Sequence, residues 1–234
     1  MQQATTPAPA PQAAKPRPPA PVPPPEFKEG AIATMDAAAL IRIVTDAGST
    51  EFQKAKSCVR LGELGAKEAV PALSALLADE HMNVYARYGL EPIADPSVDD
   101  ALRAALPKLK GNLLIGVINS IGKRRDAKAG PALARMLYGA DADVARAAAA
   151  ALGSIGTAAS VKDLQAALAK TTGMTRMAVA DASLVCAERL LAAGSRDQAL
   201  ALYTALSAPD LPKPVRLGAM NAIIREETST SRPR

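Results

Sequence analysis

Few side chains in this sequence are of the kinds that do chemistry. His81 is the one imidazole, in the run Asp79-Glu80-His81. A metal site needs several N, S or O donors, and no second histidine or nearby cysteine accompanies it. General-base work would need a nucleophile and a pocket, and the sequence marks neither, so an inert turn is the expected role. Cys58 and Cys186 are the two cysteines, both among apolar neighbours in helical patterns. Asp95, Asp99 and Asp100 resemble a carboxylate cluster, but they open a helical pattern, where negative charge suits the macrodipole. Capping is their expected role. No catalytic residue, metal ligand or cofactor is expected.

Two groups read more naturally as binding residues. Residues 107–128 hold Lys108, Lys110, Lys123, Arg124, Arg125 and Lys128 against the single acid Asp126, while the whole chain carries a net charge of +5. That cluster is a candidate site for an anionic partner; solvated turns are the plainer account. Tyr85, Arg87 and Tyr88 share a short helical run. They could be interface anchors, or rings packed in a core with their hydroxyls at the surface.

Composition indicates what must position these groups. Alanine fills 52 of 234 positions, and aromatics only 3%. Such a chain disfavours β-sandwiches and barrels and favours helices packed closely on small side chains. Residues 1–30 contain ten prolines. Proline removes a backbone donor and fixes φ, so this stretch is expected to be a disordered spacer; Pro16-Arg17-Pro18-Pro19 also loosely suits a proline-binding domain. Residues 31–227 form the helical domain, and 228–234 a short disordered tail. No apolar leader follows Met1. Met-Gln-Gln-Ala ahead of a proline-rich spacer is nevertheless what an exported protein shows after signal removal. The expected location is therefore extracytoplasmic (periplasmic) if a signal has been removed, and cytoplasmic otherwise. No stretch is apolar enough for a membrane span.

The helical region repeats. Leu73, Leu102, Leu133 and Leu164 recur with spacings of 29, 31 and 31 residues, each in a similar octet, and a last copy follows at Gln198-Ala199-Leu200-Ala201-Leu202. A second helical segment precedes each of the first four, ending in Leu61/Leu64, Leu90/Ile93, Ile118/Ile121 and Leu152/Ile155. Gly65, Gly122 and Gly156 are the expected helix stops. Asp95-Pro96 reads as an N-cap with proline at the first helical position, and Ser195-x-x-Gln198 as a capping box. One helix pair cannot bury its apolar stripe alone, so neighbours must stack. The predicted fold is all-α: a right-handed α-solenoid of about five or six stacked antiparallel helix pairs. Cys58 and Cys186 then lie four units apart. At roughly 8–10 Å per layer they are too distant for a disulfide, which needs Cα atoms within about 7 Å.

The unit Asp141-Ala-Asp-Val144-Ala-Arg146-Ala-Ala-Ala-Ala-Ala-Leu152-Gly153-Ser-Ile155-Gly156 resembles HEAT repeats, in particular the short variety named for phycobilisome lyases. The resemblance covers about residues 50–170. The run from Tyr85 to Ile93, with Asn119-Ser-Ile121-Gly122, is similar to the HEAT region of large exported proteins of planctomycete-type bacteria. Those proteins often join the repeats to haem-c or sugar-processing domains; this chain has no C-x-x-C-H, so no haem attachment carries over. Repeats of this kind serve scaffolds, adaptors and some enzymes alike.

The expected function is a non-enzymatic scaffold that holds a protein partner in the concave groove of the solenoid. The alternatives are a lyase or chaperone-like subunit similar to phycobilin lyases, and an electrostatic binder of nucleic acid. Nucleic acid is disfavoured because aromatic stacking residues are scarce. Aligning the units on their leucines puts Ser74, Arg103, Arg135, Tyr138, Lys162 and Gln165 on one exposed strip of the second helices. That mainly basic ladder is the expected binding site.

Overall fold

The computed structural model describes residues 32–230. The proline-rich stretch 1–30 and residues 231–234 lie outside the described residues. Twelve α-helices follow one another: α1 (Ala37–Thr45), α2 (Glu51–Leu64), α3 (Val70–Ala75), α4 (Asn83–Leu90), α5 (Pro96–Ala105), α6 (Gly111–Arg124), α7 (Gly130–Met136), α8 (Ala142–Ile155), α9 (Ala158–Lys170), α10 (Gly173–Ala192), α11 (Arg196–Leu206) and α12 (Lys213–Thr230). No strand occurs among the described residues. The last helix reaches Thr230, into the stretch expected to be a tail from residue 228.

Helix ends follow local chemistry in most places. Thr50 and Gln53 form a reciprocal capping box at the start of α2. Asp95 caps α5 by accepting from the Ser97 amide at 2.9 Å, ahead of Pro96 at the first helical position. Gly65 and Gly156 take the left-handed conformation, φ 65° in both, and end α2 and α8. Two expected signals are not used. Gly122 does not stop α6, which runs on to Arg124, and Arg125 takes the left-handed position with φ 57°. Gly122 is needed inside the helix instead: a Cβ there would stand 2.9 Å from Ala151 Cα on α8. Ser195 makes no capping bond, because Gly194 at φ 79° and the Ser195 amide bond to the Leu190 carbonyl already set the turn.

The leucine register holds through the centre. Leu73, Leu102, Leu133 and Leu164 are fully buried, while in the last copy Leu202 rather than Leu200 takes the core position. The helices sort into two layers. The even-numbered ones (α2, α4, α6, α8, α10) pack on one another in succession, and each also packs on an odd-numbered neighbour. Small residues let the even backbones approach closely. A Cβ on Gly89 of α4 would lie 2.5 Å from the Cys58 carbonyl of α2, and one on Gly153 of α8 2.5 Å from the Ala182 carbonyl of α10. The odd helices are shorter in the first units and touch their successors only lightly. The even helices therefore form the more closely packed layer. The leucine-octet helices, which carry the predicted strip, form the other layer.

Candidate functional site

The predicted strip lies on α3, α5, α7 and α9, the odd layer. Ser74 is half-buried, and its hydroxyl donates to the Val70 carbonyl at 2.5 Å. With Lys108, Ala101 and Ala104 it borders a shallow recess of about 190 Å³ between α3 and α5. The Arg103 guanidinium is held between Asp100 and Asp126, so it is neutralised within the fold. Arg135, Lys162 and Gln165 are exposed. Tyr138 is exposed too, in the turn after α7, with the Lys170 ammonium 5.9 Å from its ring centroid. These residues make a discontinuous row along the odd helices.

The basic cluster also divides. Lys108 and Lys110 precede α6, whereas Lys123, Arg124, Arg125 and Lys128 stand at its far end. The fourteen residues of α6 separate the two ends by about 20 Å at 1.5 Å per residue. Lys123 donates to Glu91 at 2.6 Å. Arg124 forms a fork on Asp99 at 2.5 and 3.2 Å and donates to the Glu91, Ile93 and Asp95 carbonyls at 2.9, 2.7 and 3.3 Å. It clamps the corner between α4 and α5. Lys108, Lys110, Arg125 and Lys128 remain exposed, split between the two edges.

The three acids are accounted for within the fold. Asp95 caps α5, Asp99 pairs with Arg124, and Asp100 pairs with Arg103. The bonds from the Ser97 hydroxyl and amide hold the Asp95 carboxyl below its ordinary pKa. His81 is exposed, with Nδ1 3.8 Å from Glu51. Cys58 and Cys186 are fully buried free thiols, and burial pushes their pKa values up to about 12 and about 11. No cluster of three or more His, Cys, Asp or Glu side chains is placed to hold a metal among the described residues. Among the same residues, no helix is long and apolar enough to cross a membrane.

The tyrosine helix is resolved differently for each member. Tyr85 and Tyr88 are 38% and 53% exposed, whereas Arg87 turns inward against α6. Beside Tyr85, α2 presents Phe52, Val59 and Glu63 along one side; with Ile32 from the segment before α1 they bound a cleft of about 650 Å³. The Lys56 ammonium lies 5.7 Å from the Phe52 ring centroid.

Exposed apolar side chains elsewhere follow the same layer. Leu64, Tyr85, Tyr88, Met174, Met177, Val185, Leu217, Met220 and Ile224 all lie on even helices, and of the ten large exposed hydrophobics among the described residues only Tyr138 does not. The α10 and α12 members were not anticipated. Their signal is a second apolar phase: Leu217, Met220 and Ile224 fall opposite the buried Val215, Ala219 and Ala222 on a helix turning 100° per residue.

With this geometry in place, comparison with known proteins agrees on architecture. Residues 144–170 match the family described as PBS lyase HEAT-like repeat. An engineered protein of known structure superposes with a TM-score of 0.50 at 16% identity, covering 83% of this chain and 98% of its own. A chain from the complex of CpcE and CpcF of phycocyanin lyase from Nostoc sp. PCC7120 superposes with a TM-score of 0.51 at 19% identity, covering 91% and 94%. No curated protein sequence matches this chain. The fold is therefore an all-α HEAT-like repeat solenoid, with HEAT-type sequence clearest in α8 and α9.

Proposed function

We propose that the protein is a non-enzymatic scaffold that binds a protein partner on the face of its even-numbered helices. The observation that carries this reading is the segregation of exposed apolar side chains: nine of the ten large ones among the described residues lie on even helices. They fall in two groups, one on α2 and α4 and one on α10 and α12, and grouped exposed apolar side chains mark interaction sites where scattered single ones are ordinary. Tyr85 and Tyr88 supply rigid aromatic anchors of the kind that dominate interface energetics. Met174, Met177 and Met220 supply adaptable, polarizable contacts suited to irregular partner surfaces.

Capture from a native extract by the Tyr85→Ala/Tyr88→Ala variant tests the reading, with Arg135→Glu/Lys162→Glu, both at exposed positions on odd helices, as the control. One stoichiometric protein should be recovered by the parent chain and the control, and lost by the tyrosine variant. Loss in the control alone would return the site to the strip along the odd helices. Bound pigment would favour a role similar to phycobilin lyase subunits, and salt-labile nucleic acid an electrostatic role.

A further inference from the structure

We infer that the exposed apolar face of α12 packs antiparallel on the same face of a second copy of this chain, in a twofold-symmetric pair. The inference rests on the reading of the even face as an interaction surface and names the partner of its α12 part.

The way the even helices stack comes first. In each, the residue that meets the preceding even helix is followed two positions later by one that meets the next. Gly89 faces the Cys58 carbonyl of α2, and Glu91, just past the end of α4, accepts from Ser120 of α6 at 2.7 Å. Gly122 then meets Ala151, and Gly153 meets Ala182. Leu184 lies 3.4 Å from where a Cβ on Gly218 would stand. Gly218 is therefore the backward contact of α12, and Met220 holds the forward position. Met220 is 48% exposed, and no further helix covers it among the described residues. Leu217 and Ile224, three before and four after, are exposed on the same side of the helix. The face by which the other even helices receive a neighbour is thus continued onto α12 and left apolar.

Charge selects the occupant. Acids are favoured at the start of a helix and bases at its end. In α12, Lys213 and Arg216 stand in the first turn and Glu226 and Glu227 towards the end, with no acid in the first turn and no base in the last. A second α12 laid antiparallel turns that mismatch into a match, because each basic start meets an acidic end. The register is self-complementary as well. Lys213 and Glu227 each lie seven residues from Met220, about two turns, so all three share one stripe. With Met220 on the twofold axis, Leu217 covers the second copy's Ile224 and Lys213 reaches the second copy's Glu227. Arg225, five positions past Met220, falls about 140° round the helix and off the contact. A patch that pairs with itself in this way closes as a dimer.

Sedimentation equilibrium of the full purified chain across the micromolar range tests the inference. A dimer is expected for the parent chain and for Tyr85→Ala/Tyr88→Ala, so loss of the dimer and loss of partner capture are separate results. Met220→Arg should be monomeric with its helical circular dichroism retained. Lys213→Glu should weaken the dimer about five- to tenfold, the effect of two exposed ion pairs, and Lys213→Glu/Glu227→Lys should restore it. A short bis-maleimide should join Met220→Cys to its twin, because Cys58 and Cys186 are buried and leave the reagent to position 220. That readout stands even if Met220→Arg fails to fold. A monomeric parent chain, a dimer that survives Met220→Arg, an unlinked Met220→Cys or a charge swap that restores nothing would overturn the inference. Growth beyond a dimer would overturn it too, assigning the face to a head-to-tail contact.

Discussion

Gly116 of α6 lies directly against the guanidinium of Arg87 on α4: a Cβ at 116 would stand 2.7 Å from Arg87 Nε. The space left by one missing methyl admits an arginine into the contact between neighbouring even helices. There Arg87 donates to Asn83 at 2.9 Å and to Ser120 at 3.4 Å and faces Glu91 at 3.9 Å. Ser120 in turn donates to the nearly buried Glu91 at 2.7 Å. Gly116→Ala should displace Arg87 and cost about 1–3 kcal/mol, the range for overpacking a tight interior. Urea denaturation checks it; an unchanged midpoint would show that Arg87 relocates freely.

The Arg124 clamp should be worth more than an ordinary surface ion pair. Its side chain is 11% exposed and its bonds join α6 to the α4–α5 corner. Arg124→Ala takes the guanidinium from Asp99 and from the Glu91 and Ile93 carbonyls, while the Asp95 carbonyl keeps the Val98 amide at 3.2 Å, so a loss of about 2–4 kcal/mol is expected. Arg124→Lys should recover only part of it, because a point ammonium cannot reproduce the planar fork. Full recovery in thermal melts would reduce the clamp to charge alone.

Arg125 occupies the left-handed region that Gly65 and Gly156 take at equivalent helix ends. A side chain there costs about 1 kcal/mol relative to glycine. Arg125→Gly should raise the melting temperature by about 2–4 °C for a domain of this size, since the exposed guanidinium leaves no cavity. A lower melting temperature would give the side chain a stabilising role.

Tyr203 is 1% exposed, and its hydroxyl meets no hydrogen-bond partner among the described residues. Burial raises its pKa above the ordinary phenol value. Tyr203→Phe removes an unsatisfied polar group at nearly constant volume, so stability should be unchanged or rise by up to about 1 kcal/mol. A clear loss would reveal a bound water at the hydroxyl.

Asp95 carries a predicted pH dependence. The Ser97 hydroxyl bond, then the Ser97 amide bond, lower its pKa below the ordinary 3.8. A carboxyl whose pKa is lower in the folded state stabilises the fold above its unfolded value, and that contribution is lost as pH falls through the folded one. Ser97→Ala should raise the Asp95 pKa toward 3.8 and narrow this acid-side window. Carbon-detected NMR titration of the carboxylate checks it; an unmoved titration would show that the amide alone sets the value.

Sequence alone determined the features that local period and local chemistry control. The recurrence of Leu73, Leu102, Leu133 and Leu164 marked the helix pairs, because a residue that meets the same neighbour once per unit must recur with the unit. Gly65, Gly156 and Asp95 were legible as caps because capping is decided within a few residues of the helix end. Tertiary structure decided the rest. Gly122 became a packing residue because Ala151 of the next repeat crosses it, and Arg103 left the expected ladder because Asp126, 23 positions on, neutralises it. Above all, which layer packs more closely was invisible to periodicity. Both helices of a pair repeat with the same spacing, and only the close approach of even backbones at Gly89 and Gly153 distinguishes the two layers.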